Sequence, residues 1–338
     1  MKYAVVGFGT AGYHAVKKIR ELDKEGCIDV YSNTGRAPYN PMLTTYYAFG
    51  KLEYEGMFPF GDLEQIQKEV DFNLRREQVI KVHGSEHLVE TENGSEQYDR
   101  ILIATGARAF APPVKGLEPE DAFLMRTVED ALRFKDRLKK NDIKHAVVIG
   151  ASMAGIKVVE VLHKYGIETW LLDLASYIFP LAAYKEVAKE IEKRVEAQGV
   201  HLMFGVTIDH MEQENGEKTA VLTDGSRIPA DIVGLCIGTR AITETVQGEV
   251  EIGRGIVVDD HMRTSVPGIY AAGDCCEGNN LESGQNQIIG LWANANHQGE
   301  TAGINMAGGD MAYKGNILHN ITHFMNMDFI GFVGRKTK

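Results

Sequence analysis

The chain has 338 residues, enough for two domains of ordinary size, and its 44% hydrophobic and 25% charged residues are a globular rather than a disordered composition. A formal net charge of −11 argues against nucleic acid or an anionic membrane as the main partner. No run of about 18 apolar residues is present. The opening residues are expected to enter a strand at once, with no signal peptide expected ahead of it. The four cysteines, Cys27, Cys236, Cys275 and Cys276, lack C-x-x-C spacing, which suits a reducing cytoplasm without a zinc site or disulfide framework.

Tyr3 to Val6 reads as a short buried strand, followed by a glycine turn, an amphipathic helix to about Leu22 and a second strand at Ile28 to Ser32. The stretch Ala37-Pro38-Tyr39-Asn40-Pro41-Met42-Leu43 reads as a loop or helix start, and Leu63 to Val70 as a helix. Strands fit Gln78 to Val82, His87 to Thr91 and Tyr98 to Ala104, with a turn at Asn93-Gly94. A proline-bearing linker, Ala111-Pro112-Pro113-Val114-Lys115-Gly116, marks a domain boundary.

Beyond it the opening pattern repeats. A helix near Val128 to Leu138 precedes a strand His145 to Ile149, a turn at Gly150, a helix to about Tyr165 and a strand Glu168 to Asp173. A helix Tyr184 to Gln198, hairpin-like strands around Gly216 and Gly225, and a strand Ile232 to Ile237 follow. Gly255 to Val258, Ile269 to Asp274 and a helix Trp292 to Ala307 read as a return to the first domain. The last twenty residues, with Phe324, Phe329 and Phe332, read as strands or a docking tail.

Gly7-x-Gly9-x-x-Gly12, with Thr10 and Ala11 inside it, follows a strand and opens a helix, the context a dinucleotide fingerprint needs. The first glycine makes the turn, the second lets a pyrophosphate reach the backbone, and the third lets helix pack on strand. The second copy, Gly150-Ala151-Ser152-Met153-Ala154-Gly155, has Ser152 at the middle position, where its hydroxyl can donate to phosphate. Asp173 ends the next strand and is suited to gripping both ribose hydroxyls of an adenosine; a plain strand-end cap is the alternative. No Arg or Lys follows until Lys185, so NADH is expected rather than NADPH.

Two further segments, Tyr98 through Thr105-Gly106-Ala107 and Thr264 through Ala271-Ala272-Gly273-Asp274, each end a strand in a small-residue turn. With these the chain resembles, over nearly its whole length, the FAD-dependent pyridine nucleotide–disulfide oxidoreductase superfamily. Trp292-Ala293-Asn294-Ala295 through Gln298-Gly299 and Pro38-Tyr39-Asn40-Pro41 resemble its rubredoxin-reductase and nitrite-reductase branch. The resemblance implies an α/β fold of two Rossmann-like domains, the NAD domain inserted into the FAD domain. The expected bounds are 1–112 and 245–318 for FAD, 113–244 for NAD(H), and 319–338 for a tail that begins a truncated interface domain.

The resemblance also implies that Thr105 and Gly106 lie near the FAD pyrophosphate, that Gly273 and Asp274 hold the ribityl chain, and that Val79 belongs to the FAD site. Gly238, with Thr239 and Arg240, corresponds to the turn after the NAD domain. Several positions depart from the family. Met42 stands where disulfide reductases carry a thiol beside the flavin, so electrons are expected to leave directly from the flavin. Cys275-Cys276 is the one pair that could revive thiol chemistry; adjacent cysteines form only a strained ring, and packing is the alternative. Asn33 replaces the acidic residue that usually binds the FAD ribose, and Lys157 replaces a glutamate facing the nicotinamide–flavin contact. Lys157 is either a cation stabilising anionic reduced flavin or a solvated helix lysine.

The expected function is transfer of hydride from NADH to FAD and of electrons onward to a small electron-carrier protein or partner subunit. A non-catalytic FAD-binding subunit and a peroxide-forming NADH oxidase are the alternatives, and the oligomeric state stays open.

Overall fold

The structure is a computed structural model and describes residues 1–332. It divides into two compact units. Met1–Asn40, Phe58–Arg108 and Ala241–Leu318 form the first; Pro41–Met57, Ala109–Arg240 and, of the described residues beyond, 319–332 form the second.

In the first unit a parallel sheet runs in the order Ile269–Ala271, Arg100–Ile103, Lys2–Val6, Cys27–Tyr31, Asn73–Arg75. Its central strands are continuous apolar runs because both faces are covered; Tyr3, Val5, Ile101, Leu102 and Ile103 are fully buried. The helix Thr10–Leu22 packs along the helix Trp292–Met306. Gly299 and Gly303 make that approach possible, since a Cβ at either would collide with the backbone of Ala11 or Ala15. An antiparallel ribbon, Val79–His83, Leu88–Thr91 and Gly94–Gln97, turns at Asn93-Gly94 as the sequence predicts. Gly255 to Val258, expected as part of a returning element, forms only isolated bridges, Ile256 pairing with Ile252 and Cys276.

The second unit repeats the plan. Its parallel sheet runs His201–Phe204, Glu168–Asp173, His145–Ile149, Ile232–Leu235, Ala122–Phe123. The helix Val128–Lys139 begins at a capping box in which Thr127 and Asp130 exchange hydrogen bonds with each other's backbone. The helix Met153–Lys164 follows the central strand, and an antiparallel ribbon (Ile208–Glu214, Glu217–Leu222, Arg227–Pro229) completes the expected hairpins.

Two segments pack differently from the expected domain bounds. Residues 41–57, read as part of the first domain, belong to the second unit, where Ala48 of the helix Leu43–Phe49 is buried in the core. Residues 319–332 also pack within the second unit. They form a hairpin, His319–Phe324 and Met327–Phe332, around a two-residue turn in which Met325 and Asn326 both have positive φ. Phe324 and Phe329 enter the second unit's core against Phe179, with ring centroids 5.6 and 5.1 Å away. Burial of each phenyl contributes up to about 3 kcal/mol, which explains why the segment docks rather than extends. Residues 333–338 of the expected tail lie outside the described residues.

Candidate nucleotide-binding sites

In a parallel α/β sheet, ligands bind beyond the carboxyl ends of the strands. At that end of the first sheet Gly7 leaves the strand with φ +104° and donates to Tyr31 O at 2.9 Å. A Cβ on Gly7 would strike Ala104 O, and one on Gly12 would strike Gly7 O, so both positions require glycine. Gly9 differs: a Cβ there would meet nothing within 4 Å. The helix Thr10–Leu22 has no side-chain cap on its first amides and no acid in its first turn. Open space beside Gly9, free helical amides and the positive end of a helix dipole fit a pyrophosphate.

The other expected residues of this site fall around that turn or at its edge. Thr10 Oγ1 donates to Asn296 Oδ1 of the helix Trp292–Met306. Ala11 lies against Gly273, where a Cβ would come within 3.2 Å of the alanine methyl; Gly273 takes φ +88°. The Gly273 amide donates to Gln298 Oε1 at 2.9 Å, and the next residue, Asp274, is half-buried. Thr105 Oγ1 donates to Ile242 O at 2.6 Å, while Gly106, at φ +70°, accepts from the Ile242 amide. Asn33, just past the strand Cys27–Tyr31, donates to Gln78 Oε1 at 2.8 Å, and buried Val79 opens the ribbon.

The second unit reproduces the turn. Gly150 again has φ +104°, a Cβ on it would strike Cys236 O, and one on Gly155 would strike Gly150 O. Ser152 caps the helix Met153–Lys164: its hydroxyl accepts from the Gly155 amide at 3.3 Å and donates to Cys236 O at 3.0 Å. The hydroxyl expected to face phosphate is thus engaged with the protein's own backbone. Asp173 Oδ2 accepts from the Ala151 amide and Oδ1 from the Ala175 amide, both at 2.8 Å. Gly238, at φ +106°, accepts from the Phe110 amide at 2.9 Å.

Lys157 is not the solvated helix lysine of one expectation. It is 8% exposed and its ammonium is paired with Glu160, itself 6% exposed, while donating to His323 O at 2.8 Å. It also lies over the Tyr46 ring, 4.6 Å from the centroid. Burial pushes the Lys157 ammonium below its usual value. Burial also pushes the Glu160 carboxyl up, but the adjacent ammonium and the Met325 amide hold it below the usual carboxylate range. Lys157 is therefore a buried residue that ties the hairpin to the helix Met153–Lys164, with its charge paired to Glu160.

The cysteines form no disulfide. Cys275 Sγ donates to Ile103 O and Cys276 Sγ to Gly273 O, both inside the first core, which favours the packing reading of this pair. Burial pushes the Cys236 thiol up to about 12. Met42, at the position where the resemblance expects a thiol, precedes the helix Leu43–Phe49 as an exposed cap residue.

Sequence reading missed three features of the first site. One is the Gly299/Gly303 contact, for which the Gly-x-x-x-Gly spacing was a readable signal. The second is the amide bridge from Gln298 to Gly273. The third is a stack of Tyr13, Phe60 and Trp292, with centroids 4.3 and 5.6 Å apart, which joins residues remote in sequence.

No helix among the described residues is long and apolar enough to cross a membrane. Residues 1–299 match the model of the pyridine nucleotide-disulphide oxidoreductase family. The chain is 28% identical to the NADH-dependent phenylglyoxylate dehydrogenase subunit epsilon of Aromatoleum evansii, over 99% of this chain and 80% of that protein. It is 27% identical to a rubredoxin-NAD(+) reductase of Pseudomonas putida, over 83% of this chain and 73% of that one. Among solved structures, a NAD-dependent persulfide reductase from A. fulgidus superposes with a TM-score of 0.90 at 26% identity, over 96% of this chain. The chain spans 62% of that protein's chain. A family match over most of the length, carried on two steric copies of one glycine turn, places this chain in the pyridine nucleotide-disulphide oxidoreductase family.

Proposed function

We propose that the chain is an FAD-dependent oxidoreductase that takes hydride from NADH and passes electrons to a small redox protein or a partner subunit. The observation that carries this is the duplicated turn: Gly7 and Gly12 in one unit, and Gly150 and Gly155 in the other, are sterically obligatory at the carboxyl ends of two parallel sheets. Bound FAD would supply the redox chemistry, accepting one hydride with its electron pair and releasing those two electrons singly or together.

The protein's own part is binding, orientation and exclusion of water. In the first unit Gly9 and the uncapped amides beyond it receive the pyrophosphate, while Asp274 accepts from ribityl hydroxyls. Asn33 meets the adenosine ribose as a neutral hydrogen-bonding group. In the second unit Gly150 and Gly155 shape the dinucleotide turn, and Asp173 keeps acceptor capacity for the adenosine ribose hydroxyls of NADH.

Onward transfer runs without a redox-active disulfide, a reading supported by the buried, backbone-bonded thiols of Cys275 and Cys276 and by Met42. Four cysteines without a disulfide also suit a reducing cytoplasm, where we place the protein. Stopped-flow absorbance of the purified flavoprotein, mixed anaerobically with NADH and NADPH separately, tests the assignment. Bleaching by stoichiometric NADH is expected. No bleaching by either nucleotide would leave an FAD-binding subunit without turnover, and rapid aerobic NADH consumption without added acceptor would favour a peroxide-forming oxidase.

A further inference from the structure

A carboxylate at the end of the second strand would accept from ribose hydroxyls through either oxygen, so its orientation matters little. An amide has one accepting end and one donating end. Asn33 stands at that place, just past the strand Cys27–Tyr31. What it offers a ligand depends on which end the protein itself has already used.

The backbone brings Asn33 beside Gln78. Tyr31 pairs with Arg75 at the end of two parallel strands, and the Ser32 amide donates to Arg75 O at 2.9 Å. Both segments therefore leave the sheet together at its carboxyl end, where the Gly7 amide also reaches Tyr31 O. Gly35 then turns the chain at φ +57° against the Arg76 side chain; a Cβ there would stand 2.9 Å from Arg76 Nε. Gln78 Nε2 donates to Val79 O at 3.1 Å, which leaves its Oε1 to accept from Asn33 Nδ2 at 2.8 Å. Val79 is buried in the first core, so this chain of bonds starts from a fixed carbonyl. The carbonyl orients Gln78, Gln78 orients Asn33, and Asn33 Oδ1 is the acceptor that remains.

We propose that Gln78 is a positioning residue for the adenosine ribose of FAD. It turns the Asn33 amide so that Oδ1 accepts from a ribose hydroxyl, and a neutral side chain then does the work of the expected acid. This rests on the FAD reading of the first unit. Both side chains are exposed, so water competes for their bond until a bound nucleotide covers it.

Fluorescence titration of the full-length chain, stripped of flavin, with FAD and with an FAD analogue carrying 2′,3′-dideoxyadenosine tests this. The wild type should bind FAD about 3- to 10-fold more tightly than the analogue, the worth of one hydrogen bond. Gln78→Ala and Asn33→Ala should each lose that preference while binding the analogue as the wild type does, and the double variant should be no weaker than either. Gln78→Glu keeps an acceptor for Asn33 Nδ2 and should keep the preference. Gln78→Lys offers only donors, engages Oδ1 and should lose it. A wild type that binds both ligands equally, a Gln78→Ala protein that weakens both alike, or a Gln78→Glu protein without the preference would each overturn the proposal. Binding of neither ligand would instead overturn the FAD reading and this proposal with it.

Discussion

The Asp173 carboxylate holds the amide of Ala151, 2.8 Å from Oδ2, so the acid at the end of one strand braces the glycine turn that follows its neighbour. Its other oxygen accepts from the Ala175 amide, yet a carboxylate offers about four lone-pair sites. Two acceptor positions remain for ribose hydroxyls. Asp173→Ala should therefore raise KM for NADH and lower kcat/KM by about 10- to 100-fold, equivalent to about 1.4–2.8 kcal/mol. Steady-state kinetics with NADH and NADPH check this, with unchanged flavin content as the folding control. A wild-type preference for NADPH would contradict the role given to Asp173.

Gly9 and Gly12 should separate folding from cofactor binding. A methyl at Gly12 collides with Gly7 O inside the unit, whereas one at Gly9 meets nothing in the protein. Gly9→Ala is expected to give a folded protein that purifies with little FAD. Gly12→Ala should lose stability with or without the cofactor, by about 1–3 kcal/mol, the range for overpacking. Flavin absorbance per mole of protein and thermal unfolding of the apoprotein distinguish the two.

Breaking the Lys157–Glu160 pair should loosen the hairpin. Removing one partner of a buried pair strands the other charge and costs about 3–5 kcal/mol, whereas replacing both with apolar residues is often neutral. Glu160→Gln should lower the unfolding midpoint, and Lys157→Met with Glu160→Leu should recover most of the loss.

The same pair carries a pH signature. Glu160 is held below the usual carboxylate range, so its contribution is complete above the unfolded value of about 4.3 and fades as pH falls through the lower folded value. In that window the unfolded chain binds more protons than the folded one. Glu160→Gln should flatten the acid limb of the stability profile, measured from about pH 7 down to about pH 3.

Thiol chemistry should prove dispensable. Cys27 is exposed, while Cys236, Cys275 and Cys276 are buried. Iodoacetamide should place a single adduct on the native protein and four on the unfolded one, read by intact mass. NADH-driven electron transfer should survive alkylation of Cys27 and the substitution Cys275→Ser.

The strands His145–Ile149 and Glu168–Asp173 were legible to the residue because each is an apolar run bounded by polar residues and a turn. The two glycine turns were legible because their requirement is local: a backbone angle and a close carbonyl. Lys157 was not. Its partner Glu160 stands one helical turn away, a spacing that on most helices means solvent, and burial came from a hairpin far along the chain. Ser152 was half legible. Its hydroxyl has the donor expected of it, but capping and the Cys236 carbonyl use it first. The placement of residues 41–57 rests on packing of the helix Leu43–Phe49, whose short apolar run carries no mark of the core it joins.

The two sheets differ in when they can be assembled. Every strand of the second unit's parallel sheet lies between Ala122 and Leu235, so that sheet can close while the chain is still being synthesised. The first unit's sheet needs Ile269–Ala271 beside Arg100–Ile103, and its leading helix needs Gly299 and Gly303 of the last one. Closing those contacts across so long a stretch of chain is slow. The amino-terminal glycine turn is thus made first and finished last.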